Sequence, residues 1–204
     1  MLNSDIEKQY RQLLSKIVTR KDECERFIRF LEDETTWLTA PASTKYHLSI
    51  EHGLIIHSVN VAEIMLTLKN VLLPEIPDES CVIVGLFHDV GKIGMPHAPR
   101  YIKKDSSYAY NENQVEMSVA ARSLYIVSKF ISLTDEEAQA ILYHDGQYIV
   151  ENKPIAHREC PLTLIVTFAD TWATAKEDGR VKISDPHYFR STETKEKHGN
   201  DEKV

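Results

Sequence analysis

Histidines and carboxylates stand at three separated points of the chain where packing residues are expected. In GLFHDVGKIGMP, residues 85–96, an uncharged apolar run from Cys81 to Phe87 ends in His88 and Asp89 side by side. His57 falls one helical turn before Val61, on the stripe of Val61, Ile64, Met65 and Leu68. Asp170 shares a face with Val166, Thr167, Ala173 and Thr174, all small or apolar and uncharged. A buried carboxylate is costly unless it is paired or metal-bound. Two inward carboxylates and two inward histidines relieve each other if a divalent cation sits among them. Such a mixed nitrogen and oxygen set suits Mn²⁺, Fe²⁺, Co²⁺, Ni²⁺ or Zn²⁺. Adjacent helical residues point about 100° apart. His88 and Asp89 therefore share one ion most easily at a frayed helix end, which Gly91 is expected to supply. The residues alone leave a plainer alternative open: core histidines and capping aspartates, with no metal.

The elements that must position these groups are helical. Ser4-Asp5-Ile6-Glu7 has the pattern of a capping box, and Ile6, Tyr10, Leu13, Leu14 and Ile17 follow at helical spacing. Further helices are expected at about 21–32, 53–69, 79–89, 115–130, 134–144 and 161–175, with a second capping box at Thr134-Asp135-Glu136-Glu137 and Pro161 in a first turn. The stretches TTWLTAPASTKYHLSIEHG and GKIGMPHAPRYIKKDSSYAYNENQ are expected to be loops. Trp37 and Trp172 are expected to anchor the core. Convincing alternating strands are absent, so the fold class is all-α, a compact multi-helix bundle. The expected organisation is an N-terminal helical region, 1–42, packing on a core domain, 43–176. A C-terminal extension, 177–204, follows, its polar tail disordered.

Composition narrows the partners. A net charge of −7 argues against non-specific binding to duplex DNA, and no apolar run approaches the roughly 20 residues that span a bilayer. The three cysteines, Cys24, Cys81 and Cys160, form neither a metal spacing nor a disulfide framework, which points to the cytoplasm.

Taken together, His57, then His88-Asp89, then Asp170 resembles the H…HD…D signature of the HD-domain superfamily of metal-dependent phosphohydrolases. HDVGKIGMP, 88–96, is similar to the HD-GYP branch; GLIIHSVNVAE, 53–63, and LTLIVTFADTWAT, 162–174, resemble the helices carrying the first histidine and the last aspartate. LTDEEAQAILYHDG, 133–146, matches a helix found in many members. The resemblance covers about 43–176. It implies one divalent ion (Mn, Fe, Co, Ni, Zn or Mg) on His57, His88, Asp89 and Asp170. Bimetallic members carry two further histidines. His144 matches the later one, but Gln114 stands at the earlier, so a mononuclear site is expected and a second metal is left open. The GYP motif is missing from HDGQYIVENK, which argues against cyclic di-GMP hydrolysis.

The expected reaction is attack of metal-activated water on phosphorus. Lys92 is expected to face a phosphate, Glu116 or His144 to move a proton, and Asp145 to orient His144. Tyr46, His47 and His52 border the cleft as candidate substrate contacts, Tyr46 by stacking on a base. Arg100, Lys103 and Lys104 are cations near the expected phosphate site. The leading substrate is a nucleoside mono- or triphosphate. The alternatives are a phosphodiesterase or 3′-end nuclease on cyclic or short oligonucleotides, and a non-catalytic metal-stabilised module. The oligomeric state is not determined by the residues.

Overall fold

Helix α3 (Gly53–Leu72) is apolar on nearly every side, because helices pack around it. Its buried residues include Leu54, Ile55, Val59, Val61, Ala62, Met65 and Leu66. By length and composition it would even pass for a membrane span, at 20 residues and mean hydropathy 1.2, although its sequence is broken by polar residues. Here it is the central helix of the core. The computed structural model describes residues 2–105 and 107–180; the tail expected to be disordered lies, from residue 181 on, outside the described residues.

Around α3 stand α1 (Ser4–Leu14), α2 (Lys21–Glu34), α4 (Asp78–Phe87), α5 (Val119–Val127), α6 (Asp135–Tyr143) and α7 (Pro161–Glu177), with α4 and α7 packed most extensively on α3. The all-α fold class stands. Two details of the expected helix starts change. Asn3, not Ser4, caps α1, its side chain accepting from the Asp5 amide. Helix α5 begins later than expected because Ser118 caps it. The capping box at Thr134 and Glu137 is present as expected.

The segment expected to be a loop after Asp89 is more ordered than that. A 3₁₀ turn (Val90–Ile93) leads into a short hairpin, β1 (Gly94–Met95) with β2 (Ala98–Pro99). A second hairpin follows, β3 (Tyr101–Lys104) with β4 (Ser107–Tyr110). Aromatic and β-branched residues favour this pairing, and Tyr101 opposes Tyr110 with ring centroids 5.6 Å apart. Of the two tryptophans, Trp37 is fully buried, whereas Trp172 is 46% exposed and is not a core anchor. Leu164, Phe168 and Trp172 share an outward stripe of α7.

Two packing devices bear on the site. First, α3 and α4 approach very closely where Gly85 meets Ala62: a Cβ at Gly85 would stand 2.6 Å from Ala62 Cα. Three residues later, His88 leaves α4. Phe87 beside it is clamped by Phe27 (4.9 Å, edge-on) and Trp37 (6.1 Å), and the Trp37 indole donates to the Tyr10 hydroxyl at 3.2 Å. Second, Arg20 bonds Glu79 on α4 (2.7 Å) and Glu137 on α6 (2.5 and 2.7 Å). Glu79 also accepts from the Val18 and Thr19 amides and the Thr19 hydroxyl.

Two outcomes follow. Gly85→Ala is expected to destabilise the fold by about 1–3 kcal/mol, since the close approach leaves no room for a methyl group; urea unfolding measures it. Glu79 is pushed up by burial, but Thr19, Arg20 and the two amides outweigh that and hold it down at about 2. Its unfolded value is about 4.3. A carboxylate depressed in the folded state stabilises above its unfolded value and loses that contribution as pH falls toward the folded one. Stability should therefore decline between about pH 4.5 and 2, and Glu79→Gln should flatten that limb of the pH–stability curve.

Candidate metal centre

Helices α3, α4, α6 and α7 each deliver one or two polar side chains to a single buried point. Helix α4 ends at Phe87, and His88 still has helical dihedrals (φ −54°, ψ −38°). Asp89 turns away (φ −104°, ψ 8°), and this bend lets the neighbours face the same space. Gly91 does not fray the helix, as the sequence suggests. It lies in the 3₁₀ turn, where a side chain would strike Val119 and Ser123 of α5, and its amide donates to Ser123 Oγ at 2.8 Å.

The carboxylate of Asp89, 4% exposed as a residue, is the hub. His57 Nε2 lies 3.7 Å from its Oδ2, His88 Nε2 3.7 Å from the same oxygen, and His144 Nε2 3.5 Å from Oδ1. Asp170 Oδ1 stands 3.1 Å from His57 Nε2, off the line of a hydrogen bond. The Nε2 atoms of His57 and His88 are buried and without a hydrogen-bond partner. Each imidazole is held by its other nitrogen. His88 Nδ1 donates to the Gly85 carbonyl and His144 Nδ1 to the Ile141 carbonyl, both at 2.9 Å. His57 Nδ1 pairs with Glu177 Oε2 at 2.9 Å, and Asn60 donates to Glu177 Oε1 at 2.7 Å. Rings anchored through Nδ1, with bare Nε2 atoms converging on carboxylates, have the donor set and orientation of a divalent-ion site. His57, His88 and Asp170 form one group of donors within 4.8 Å of one another, and His88, Asp89 and His144 another.

Electrostatics reflect this crowding. Burial favours neutral His57, but Asp170 and Glu177 outweigh it and push the imidazole up to about 10. Burial wins at His88, pulled down to about 4. At His144, burial is outweighed by Asp89 and Asp145, which push it up to about 9. Against its own burial, Asp89 is held well below the usual carboxylate range by Lys92 and His88. Asp170 is likewise held down by His57. The Lys92 ammonium lies 2.5 Å from Asp89 Oδ2, with the side chain 15% exposed.

The sequence profile of the HD domain matches residues 54–175. The chain belongs to the HD-domain family. No curated protein and no solved structure is significantly similar to it. HD domains are metal-dependent phosphohydrolases in type, and the buried histidine–aspartate cluster agrees with that dependence.

The other expected site residues are divided between the matched segment and the loop before it. Lys92 is turned onto Asp89 rather than outward to a phosphate. Asp145 Oδ1 lies 3.7 Å from His144 Nε2, with its side chain 45% exposed. His47 packs its ring 4.9 Å from that of His57, with Nε2 buried and unpartnered. His52 bonds the Leu38 carbonyl through Nδ1 (2.5 Å) and takes a left-handed conformation (φ 68°), so it shapes the loop. Tyr46 is 80% exposed. Glu116 is exposed and precedes α5, with no hydrogen bond or ion pair among the described residues. Gln114 accepts from Arg122 at 2.8 Å. Lys103 is engaged by Glu51 at 3.1 Å.

Glu177 was not anticipated as a functional residue. It lies two turns beyond Asp170 on α7, and that spacing is the signal that marks it. Asn60 sits one turn beyond His57 on the same logic. Glu177→Ala is expected to weaken divalent-ion affinity by about 10–100-fold, the usual cost of losing the group that orients a ligating histidine. Titration with Mn²⁺ followed by calorimetry measures it; affinity equal to the parent's would show that Glu177 has no orienting role.

Proposed function

We propose that this HD domain hydrolyses a phosphate ester or anhydride of a nucleotide, using one divalent ion held by His57, His88, Asp89 and Asp170. The unpartnered Nε2 atoms of His57 and His88, buried against two carboxylates, carry the reading. Two imidazole nitrogens with two anionic oxygens fit a first-row divalent ion, which would take the place of the proton that Asp170 and Glu177 hold on His57. When bound, such an ion activates water and polarises phosphorus.

The chain's own residues do the rest. Glu177 and the Gly85 carbonyl hold His57 and His88 with Nε2 inward. His144, with Nε2 at 3.5 Å from Asp89 and Nδ1 fixed on the Ile141 carbonyl, is placed to give a proton to the leaving oxygen. Asp145 beside it stabilises its protonated form. Lys92 neutralises Asp89. The acidic chain, at −7, would repel polyanions, which favours a small substrate reached through local cations. A second ion at His88, Asp89 and His144 is the competing arrangement, favoured by the closeness of those three donors.

Metal analysis with an Mn²⁺-supplemented panel tests the proposal. One ion per chain and phosphate or triphosphate release from mononucleotides are expected. Turnover of cyclic or oligonucleotide substrates alone would sink the mononucleotide assignment, and bound metal without any turnover would sink the catalytic one. Asp170→Ala should cut kcat/KM by about a thousandfold, equivalent to several kcal/mol of lost Lewis-acid stabilisation, with the fold retained by circular dichroism.

A further inference from the structure

The turn after Lys92 leads to an arginine without a counter-ion among the described residues. Gly94 adopts φ +75°, and a side chain there would strike the returning strand at Ala98 and Arg100. Because glycine allows this tight return, the Arg100 amide donates to the Ile93 carbonyl at 3.3 Å. Arg100 is thereby set beside the residue that follows Lys92. Its guanidinium carbon lies 5.9 Å from the Tyr101 ring centroid and 5.2 Å from that of Tyr110, the cross-strand pair of the second hairpin. Its Nε is buried with no hydrogen-bond partner, and it forms no ion pair among the described residues.

A second arginine, Arg122, comes from the α5 turn that meets the same 3₁₀ turn, where Ser123 beside it accepts from the Gly91 amide. Arg122 on α5 is 1% exposed and bonds only neutral acceptors, Gln114 Oε1 at 2.8 Å and the Val115 carbonyl at 2.6 Å. Burial and the neighbouring Arg100 charge both pull Arg122 down, offset only by Glu116 from an exposed position. The backbone ties Arg100 to the cluster: it bonds Ile93, the residue after Lys92, and Lys92 meets Asp89. Two arginines with no ion-paired carboxylate among the described residues are costly to hold unless an anion completes the arrangement. The planar guanidinium fork matches a phosphate, and rings flanking it keep it from swinging away.

We propose that Arg100, backed by Arg122 and framed by Tyr101 and Tyr110, binds a second phosphate group of the substrate, beyond the one under attack. This rests on the phosphohydrolase reading and deepens it: the substrate carries at least two phosphates, as a nucleoside di- or triphosphate does, and is not a monophosphate.

Calorimetric titration of the metal-loaded protein with pyrophosphate and with orthophosphate tests it. The parent should bind pyrophosphate at least tenfold more tightly than orthophosphate. Relative to the parent, R100Q should lose most of that preference and R100K less of it. K103Q, whose lysine is engaged by Glu51, should keep all of it. All four share one metal centre, so direct binding of either anion to the ion cancels from the comparison. A parent without the preference, or an R100Q variant that retains it, overturns the proposal. Should R100Q fail to fold, the parent's preference and R100K decide, and an R100K variant identical to the parent overturns it. If no phosphorylated substrate is turned over while R100Q still loses pyrophosphate, the catalytic reading fails and the anion subsite stands.

Discussion

Asp89 brings a negative charge into the protein interior, and the structure is arranged around satisfying it. A carboxylate 4% exposed loses most of its hydration, a cost of several kcal/mol unless cations replace the water. Lys92 meets it directly, and three imidazoles turn their Nε2 atoms toward it. No single partner is enough. His88 is too deeply buried to hold a proton readily, while His57 is drawn into the charged form by Asp170 and Glu177. Such a balance of partly satisfied groups is what a divalent ion completes, since one compact charge can serve several donors at once.

The helices explain how donors from four segments meet. Helix α3 must be buried over most of its length to bring His57 to the centre, hence its largely apolar character, with only Glu63, Thr67 and its last turn exposed. Helix α4 must come close enough for His88 to face His57, hence glycine where α4 touches Ala62. The aromatic group of Phe27, Trp37 and Phe87 fixes the last turn of α4, and the Arg20 clamp ties the connection between the first two helices to α4 and α6. These packing devices lie outside the cluster, yet a shift in any of them would move a donor.

Much of this was legible in the sequence, for a physical reason. A histidine on an otherwise apolar stripe is visible because helical periodicity is regular, and His57, His88 and Asp89 stood out in that way. Asp170 was visible too, although threonines flank it. Glu177 was not, because nothing near it marks a buried face; only its register with Asp170 does. Gly91 reads as a helix end, yet its missing side chain matters for contact with α5, a long-range neighbour that local pattern does not reveal. The segment after Asp89 looked like a loop because its glycines and prolines obscured two hairpins whose pairing depends on residues across the turns. Trp172 faces outward despite its size, since composition does not say which side of α7 is covered.

His88 and His144 are oriented within their own helices, each by the carbonyl three residues back. His57 is oriented from across the molecule, by Glu177 near the end of α7. The three imidazoles therefore mature at different times. Two are set as soon as α4 and α6 form, whereas the first in chain order waits for the last described helix to dock. During synthesis, a chain that has emerged only as far as Asp145 would own His57, His88, Asp89 and His144 but hold His57 free to swivel, so tight capture of the ion is deferred until α7 docks.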